Sequence, residues 1–118
     1  MREARHRCTG RLALASVPDQ ETNTFLSSLV TRRRCAWLGG QRDRWGRWGW
    51  LDGTPWRYTS WAPREPRHGY RNNRKDFLVL WSDEKWQAEK YMGPKHRYIC
   101  QYKPKDENEE GIIWGRND

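Results

Sequence analysis

Residues 46–67 read GRWGWLDGTPWRYTSWAPREPR and crowd Trp48, Trp50, Trp56 and Trp61 into one short stretch punctuated by glycine and proline. No 3.6-residue period survives Gly46, Gly49, Asp52-Gly53, Pro55, Pro63 and Pro66, and Asp-Gly followed by Thr-Pro is turn chemistry. The indoles must therefore be buried by a folded loop, and a small domain is expected around it.

Working outward, a chain of 118 residues has room for one domain and one core, and profits from covalent staples. Only 35% of residues are apolar and 32% are charged, so much of the buried area has to come from the nine tryptophans. The formal charge of +8 is uneven: residues 1–102 hold 20 Lys/Arg and 10 Asp/Glu, or +10, whereas 103–118 hold 3 and 5, or −2. A basic body with an acidic tail suits an anionic partner. No apolar run approaches the ~18 residues of a membrane span, and no apolar leader follows Met1.

Taken in order, Arg2–Arg7 reads as a short helix leading past Cys8 to a strand around Leu12 and Leu14. Pro18-Asp19 opens a second helix, Gln20–Leu29, with Asp19 as its cap and Phe25, Leu26 and Leu29 expected on one face. Cys35-Ala36-Trp37-Leu38 reads as a buried strand stopped by Gly39-Gly40, and Gln41–Arg47 as a basic turn. Pro63–Lys75 is expected to be a long exposed loop in which Arg64, Arg67, Arg71, Arg74 and Lys75 meet one acid, Glu65. Asp76–Trp81 is the clearest strand, 82–85 a turn, Trp86 the start of a return strand, and Arg97–Tyr102 the last core strand.

The order and spacing of these pieces over residues 3–102 resemble the C-type lectin-like domain. The resemblance rests on Glu3-Ala4 with Cys8, Leu14-Ala15-Ser16-Val17, Trp37-Leu38-Gly39-Gly40, and Trp50-Leu51-Asp52-Gly53-Thr54-Pro55 with Trp61 and Pro63. Glu65-Pro66 and Tyr98-Ile99-Cys100 complete it. It implies an α+β fold of two helices, two small antiparallel sheets and a long loop region carrying the ligand site. It also implies a domain over 1–102, a disulfide between Cys8 and Cys100, and an extracellular or secreted setting. Closing a loop of that size is worth up to ~4–5 kcal/mol in the chain-entropy account. The family's second disulfide would fall on Phe77 and Tyr91, where an aromatic contact can replace it. Cys35 is left over, either a buried thiol or a link to another chain.

Such domains normally begin with a strand that pairs with the closing strand, whereas this chain starts inside the first helix, as a truncation would. The edge of Arg97–Tyr102 would then be bare. The tail 103–118 is expected to be mobile, with the alternative that Ile112-Ile113-Trp114 supplies the absent strand.

Sugar-binding members of the family hold calcium with carboxylates and amides. At the matching positions this chain has Glu65-Pro66-Arg67, Lys75 before Asp76, and Trp86-Gln87-Ala88, so one carboxylate of the set remains and no cofactor is expected. The match of Trp81-Ser82-Asp83 to the last motif is rejected on its spacing to Cys100. His6, His68 and His96 lie in unrelated segments and read as surface residues, and no nucleophile has a base in a motif context, so an enzyme is not expected. The expected function is a recognition module that binds a protein or a sulfated glycan without calcium. Its site is placed on Arg64, Glu65, Arg67, His68, Arg71, Arg74 and Lys75, bordered by Trp86. A calcium-dependent sugar lectin is the first alternative and a nucleic-acid binder the second, the latter without any recognisable nucleic-acid motif.

Overall fold

The run Phe77-Leu78-Val79-Leu80 lies at the middle of the fold because each of its side chains is buried, alternately on two faces of one sheet. The computed structural model describes residues 1–70, 73–92, 96–102 and 112–115. Strand β6 (Phe77–Trp81) pairs antiparallel with β2 (Cys35–Arg42) on one side and with β7 (Trp86–Glu89) on the other. Beyond β2 lies β8 (Arg97–Tyr102), joined to it in parallel through Ala36 opposite Arg97 and Trp37 opposite Tyr98. Strand β1 (Leu12–Leu14) pairs antiparallel with β8, giving the order β1-β8-β2-β6-β7, and β3 (Trp48–Trp50) forms a hairpin with the end of β2. The fold is α+β as expected, but the two small sheets of the expectation are one mixed sheet. The separate pair is β4 (Gly69–Tyr70) with β5 (Asn73–Arg74), inside the segment expected to be plain loop.

Alternation along β2 and β6 divides the core. Ala36, Leu38, Leu78 and Leu80 face Leu26 of helix α2 (Gln20–Ser28) together with Trp50 and Trp86. Cys35, Trp37, Phe77 and Val79 face Met1 and Ala4, which bring in helix α1 (Arg2–Arg7). Phe77 and Tyr91 meet with ring centroids 5.4 Å apart, an aromatic contact where the family's second disulfide would lie.

Helix α2 begins where Asp19 Oδ1 accepts the Thr22 N–H at 2.8 Å, and that bond holds the exposed carboxyl below its ordinary range. Its buried face is Asn23, Leu26 and Ser27, so Phe25, expected inside, is exposed. The reason is polar. Asn23 takes the sheet-facing position, donating to the Glu84 carbonyl at 2.9 Å and accepting the Trp86 indole N–H at 2.7 Å.

Gly39 and Gly40 do not stop β2; the strand runs through them to Arg42. A Cβ on Gly39 would stand 2.8 Å from the Leu14 carbonyl oxygen, and one on Gly40 would stand 2.9 Å from the Leu78 side chain. Close approach of neighbouring chain, not a turn, requires glycine there. The closure of the domain is covalent: Cys8 and Cys100 form a disulfide with Cα atoms 5.5 Å apart.

Residues 112–115 form β9, antiparallel to β8 with Ile99 opposite Trp114 and Cys100 opposite Ile113. Tyr98, Cys100 and Gln101 of β8 each pair with β9 as well as with β1 or β2, so the edge expected to be bare is covered there. The rest of the tail, 103–111 and 116–118, lies outside the described residues.

Candidate functional site

The long loop leaves the tryptophan stretch along the edge of β7. The Trp86 N–H donates to the Ser60 carbonyl at 2.8 Å and the Ala62 N–H to the Trp86 carbonyl at 2.9 Å, which fixes the loop entry as a parallel bridge. A turn follows, closed by the Glu65 N–H on the Ala62 carbonyl, with Arg64 in the left-handed region at φ 67°. The Glu65–Pro66 peptide is cis. Farther on, the Lys75 N–H donates to the His68 carbonyl at 3.0 Å, the closing bond of the β4–β5 pair.

Glu65 points inward. Its Oε1 accepts the backbone N–H groups of Arg67 and Ala88, each at 3.0 Å, its Oε2 lies 3.4 Å from Arg67 Nε, and its side chain is 5% exposed. The carboxylate therefore pins the loop to β7. Asp76 is likewise engaged, 3.2 Å from Arg42 Nε and 3.1 Å from Arg74 Nε.

Arg42, absent from the sequence expectations for the site, organises the loop from beneath. Its side chain is 2% exposed and lies over the Trp48 ring, 5.0 Å from the centroid. Besides Asp76, its guanidinium donates to the Arg67 carbonyl at 2.6 Å and to the Lys75 carbonyl, and it meets His68 Nδ1 at 2.8 Å. A guanidinium can only donate, so His68 Nδ1 accepts and turns its lone pair inward. One fixed positive centre thus gathers the two ends of the loop. The only sequence signal was a charged residue in phase with a buried strand.

Of the expected site residues, Arg64, Arg67, His68 and Arg74 are exposed along this loop, Lys75 is half-buried beside them, and Arg71 lies outside the described residues. Trp86 is corrected: it is 0% exposed, with Trp50, Trp56, Tyr58 and Trp61 packed on it at centroid distances of 5.5–5.8 Å, so it is a core residue and borders no ligand face.

His96 is also corrected from a surface residue. Its Nδ1 is 3.4 Å from Cys35 Sγ, its ring is 5.0 Å from that of Trp37, and its Nε2 is 3.6 Å from Glu89 Oε2. This brings a cysteine, a histidine and a carboxylate into a row, but the thiol is buried and burial pushes it from 9.0 up to about 12, the wrong direction for a nucleophile. The His96 ring holds Glu89 below the ordinary carboxylate range although burial opposes it. Because the thiol is raised in the folded state, its protonated form contributes stability in full below about pH 9, and that contribution is lost as pH rises toward 12. At pH 8 a thiol reagent is expected to leave Cys35 unmodified in the native protein and to modify it in denaturant; rapid native labelling would contradict this burial.

A family model described as "Lectin C-type domain" matches residues 1–102. The chain belongs to the C-type lectin domain family. It is similar to the C-type lectin lectoxin-Lio2 of Erythrolamprus poecilogyrus, 30% identical over 111 residues that make up 86% of this chain and 63% of that protein. It is also similar to the bone marrow proteoglycan of Rattus norvegicus, 34% identical over 64 residues, 50% of this chain and 28% of that protein. The chain thus spans less than two thirds of these relatives. Among solved structures it resembles the cow C-type carbohydrate-recognition domain of CD23, determined in the presence of a GlcNAc2Man3 oligosaccharide, at 26% identity. The TM-score is 0.70, over 82% of this chain and 74% of that one. A calcium-independent type II antifreeze protein is similar at 25% identity and TM-score 0.71, over 84% and 75% of the two chains. Family and fold thus agree over the body of the chain.

Proposed function

We propose that this lectin domain binds a sulfated glycan outside the cell, without catalysis and without calcium, through the basic face of the long loop. The observation that carries the reading is the direction of Glu65. The one carboxylate left at the calcium-ligand positions spends Oε1 on the Arg67 and Ala88 N–H groups and turns Oε2 to the Arg67 guanidinium, while Arg67, Lys75 and Ala88 occupy positions that would have to supply oxygen ligands. This donor set does not fit calcium, which takes six to eight oxygens. The Arg42 guanidinium already draws on the Arg67 and Lys75 carbonyls. The resemblance to an antifreeze protein described as calcium-independent points the same way.

What the loop offers is cationic. Arg64, Arg67, Arg74 and Lys75 stand against Glu65 and Asp76, whose charges are matched by Arg67 and Arg74 as well as by Arg42 from within. Planar guanidinium groups suit sulfate and carboxylate geometry. Binding is expected to be electrostatic, so heparin affinity falls with salt, and replacing Arg67 and Arg74 together by Ser reduces the salt slope by roughly two. The test is titration with heparin oligosaccharide against single-stranded DNA at matched ionic strength, with calcium and with chelator. Preference for heparin with no effect of chelator supports the reading. Binding abolished by chelator would make the domain a calcium lectin, equal binding of DNA would make it a general polyanion binder, and an unchanged salt slope in the double variant would remove the loop from the site.

A further inference from the structure

A second exposed feature lies on the turn between β2 and β3, beside the long loop but outside it. Asp43 Oδ1 accepts the backbone N–H groups of Trp45 and Arg47, each at 2.9 Å, the Asp43 N–H donates to the Arg47 carbonyl at 2.8 Å, and Gly46 takes φ 84°. These bonds, Arg47's first, hold the Asp43 carboxyl below its ordinary range. The turn is thus tightly bonded, and its acid is committed to backbone donors. On this support Trp45 stands 68% exposed, the only tryptophan among the large apolar side chains left exposed in the described residues. Arg44 lies over its ring at 4.8 Å from the centroid and Arg47 at 5.8 Å. Next to it runs an open groove of about 320 Å³, lined by Gln41, Asp43, Arg47, Trp48, Trp50 and Leu51 with the backbone of Gly49.

An indole packed into a core needs no explanation; one held out on a hydrogen-bonded turn with two guanidinium groups near its ring does. Tryptophan and arginine are the residue types that most often carry binding energy. The C–H face of a pyranose ring stacks on indole, and its anionic substituents reach guanidinium groups set beside that indole. The turn is also continuous with the long loop. The Arg42 N–H donates to the Asp76 carbonyl at 2.8 Å, and the Arg42 side chain reaches His68. Trp45 is three residues past Arg42, at most about 10 Å of extended chain.

We infer that the β2–β3 turn is a second subsite of the same glycan site: Trp45 is a stacking platform for one sugar residue, and Arg44 and Arg47 take its sulfate or carboxylate groups. The inference rests on the proposed binding of an anionic glycan and names the part of the chain that adds ring contact to charge. The long loop alone supplies charge; the turn adds a surface that recognises a ring.

The experiment titrates a heparin-derived tetrasaccharide into the intact chain, Trp45→Ala, Trp45→Phe, Arg44→Ser/Arg47→Ser and Arg67→Ser/Arg74→Ser, at several salt concentrations. Melting temperatures confirm that each variant is folded. Trp45→Ala is expected to weaken binding five- to tenfold with the salt slope unchanged, and Trp45→Phe to restore most of the loss. Arg44→Ser/Arg47→Ser is expected to weaken binding and lower the slope. Tetrasaccharide bound by Trp45→Ala within twofold of the parent, while Arg67→Ser/Arg74→Ser loses affinity, overturns the turn subsite and leaves the long-loop reading in place. No binding by the parent chain removes both. A Trp45→Ala loss accompanied by an equal drop in the salt slope would also overturn the stacking role, because a neutral ring releases no counterions.

Discussion

Trp86→Ala is expected to lower the free energy of unfolding by about 5 kcal/mol, the upper end for removal of a buried aromatic. The ring is fully buried, Trp50, Trp56, Tyr58 and Trp61 all pack edge-on against it, and its N–H is the donor to Asn23 on helix α2. Removal opens a cavity that the surrounding rings cannot close freely, because Trp50 is held in strand β3 and Trp61 in the bridge to β7. It also strands the Asn23 carbonyl, a buried acceptor whose loss of partner costs about 1–3 kcal/mol. Against a total of about 5–15 kcal/mol for a domain, the change removes between about a third and all of the folding free energy, so a large fall in melting temperature is expected. Trp86→Phe separates the two contributions, since it keeps most of the ring contact and loses the N–H. Urea unfolding followed by circular dichroism should place it about 2 kcal/mol below the parent. A Trp86→Ala variant that loses less than about 2 kcal/mol would show that the aromatic cluster is held from elsewhere.

The cluster was legible in part. Glycine, proline and Asp-Gly turns showed that the four tryptophans of residues 46–67 could not lie on a helix, but Trp48 and Trp50 lie in strand β3 and only Trp56 and Trp61 in the loop beyond it, with Trp50, Trp56 and Trp61 packed on Trp86. Which ring would be central was not legible, because that depends on where β7 runs relative to the loop entry, a contact between segments about 25 residues apart. The alignment that put Trp86 beside a ligand fixed its place in the chain but not the side it faces. Helix α2 carries the same lesson. Its cap is a local bond and was read correctly, whereas its buried face depends on Asn23 bonding to Glu84 and Trp86, and no hydropathy pattern marks an asparagine as an inward residue. Gly39-Gly40 looked like punctuation because glycine usually is; the close approach of Leu14 and Leu78 that calls for it is a tertiary fact.

For the site, charge was readable and direction was not. The count of arginines in residues 63–75 pointed to a basic loop, and the loss of carboxylates at the family's ligand positions was plain from the residue types. That the surviving Glu65 turns inward required the Ala88 N–H on a different strand. The row of Cys35, His96 and Glu89 was invisible for the same reason, since the three arrive from β2, the residue before β8 and the end of β7.

Arg42→Met is expected to be the second most damaging change, with a loss of about 4 kcal/mol, because removing one member of a buried charge pair leaves the other member and its hydrogen-bond partners uncompensated. Here the partners are Asp76, His68 Nδ1 and the carbonyls of Arg67 and Lys75. Methionine keeps an apolar chain of similar length but not the guanidinium that lies over Trp48, so the loss reports the guanidinium with its ring contact. Arg42→Lys retains the charge but not the fork, and an ammonium group cannot span the same partners; about half the loss is expected. The control is Arg74→Ser, which removes the outer, half-exposed partner of Asp76 and should change stability by no more than about 1 kcal/mol. Hydrogen exchange reads the local consequence. The Lys75 amide, bonded to the His68 carbonyl, should exchange faster in Arg42→Met even under conditions where β6 and β2 stay protected, because the loop loses its tie before the sheet does. Added calcium should not restore protection, since the freed carbonyls bring no carboxylate but Asp76 with them. Equal stability in Arg42→Met and Arg74→Ser would mean that the inner ion pair is as well solvated as the outer one, and that the long loop keeps its shape without a positive centre beneath it.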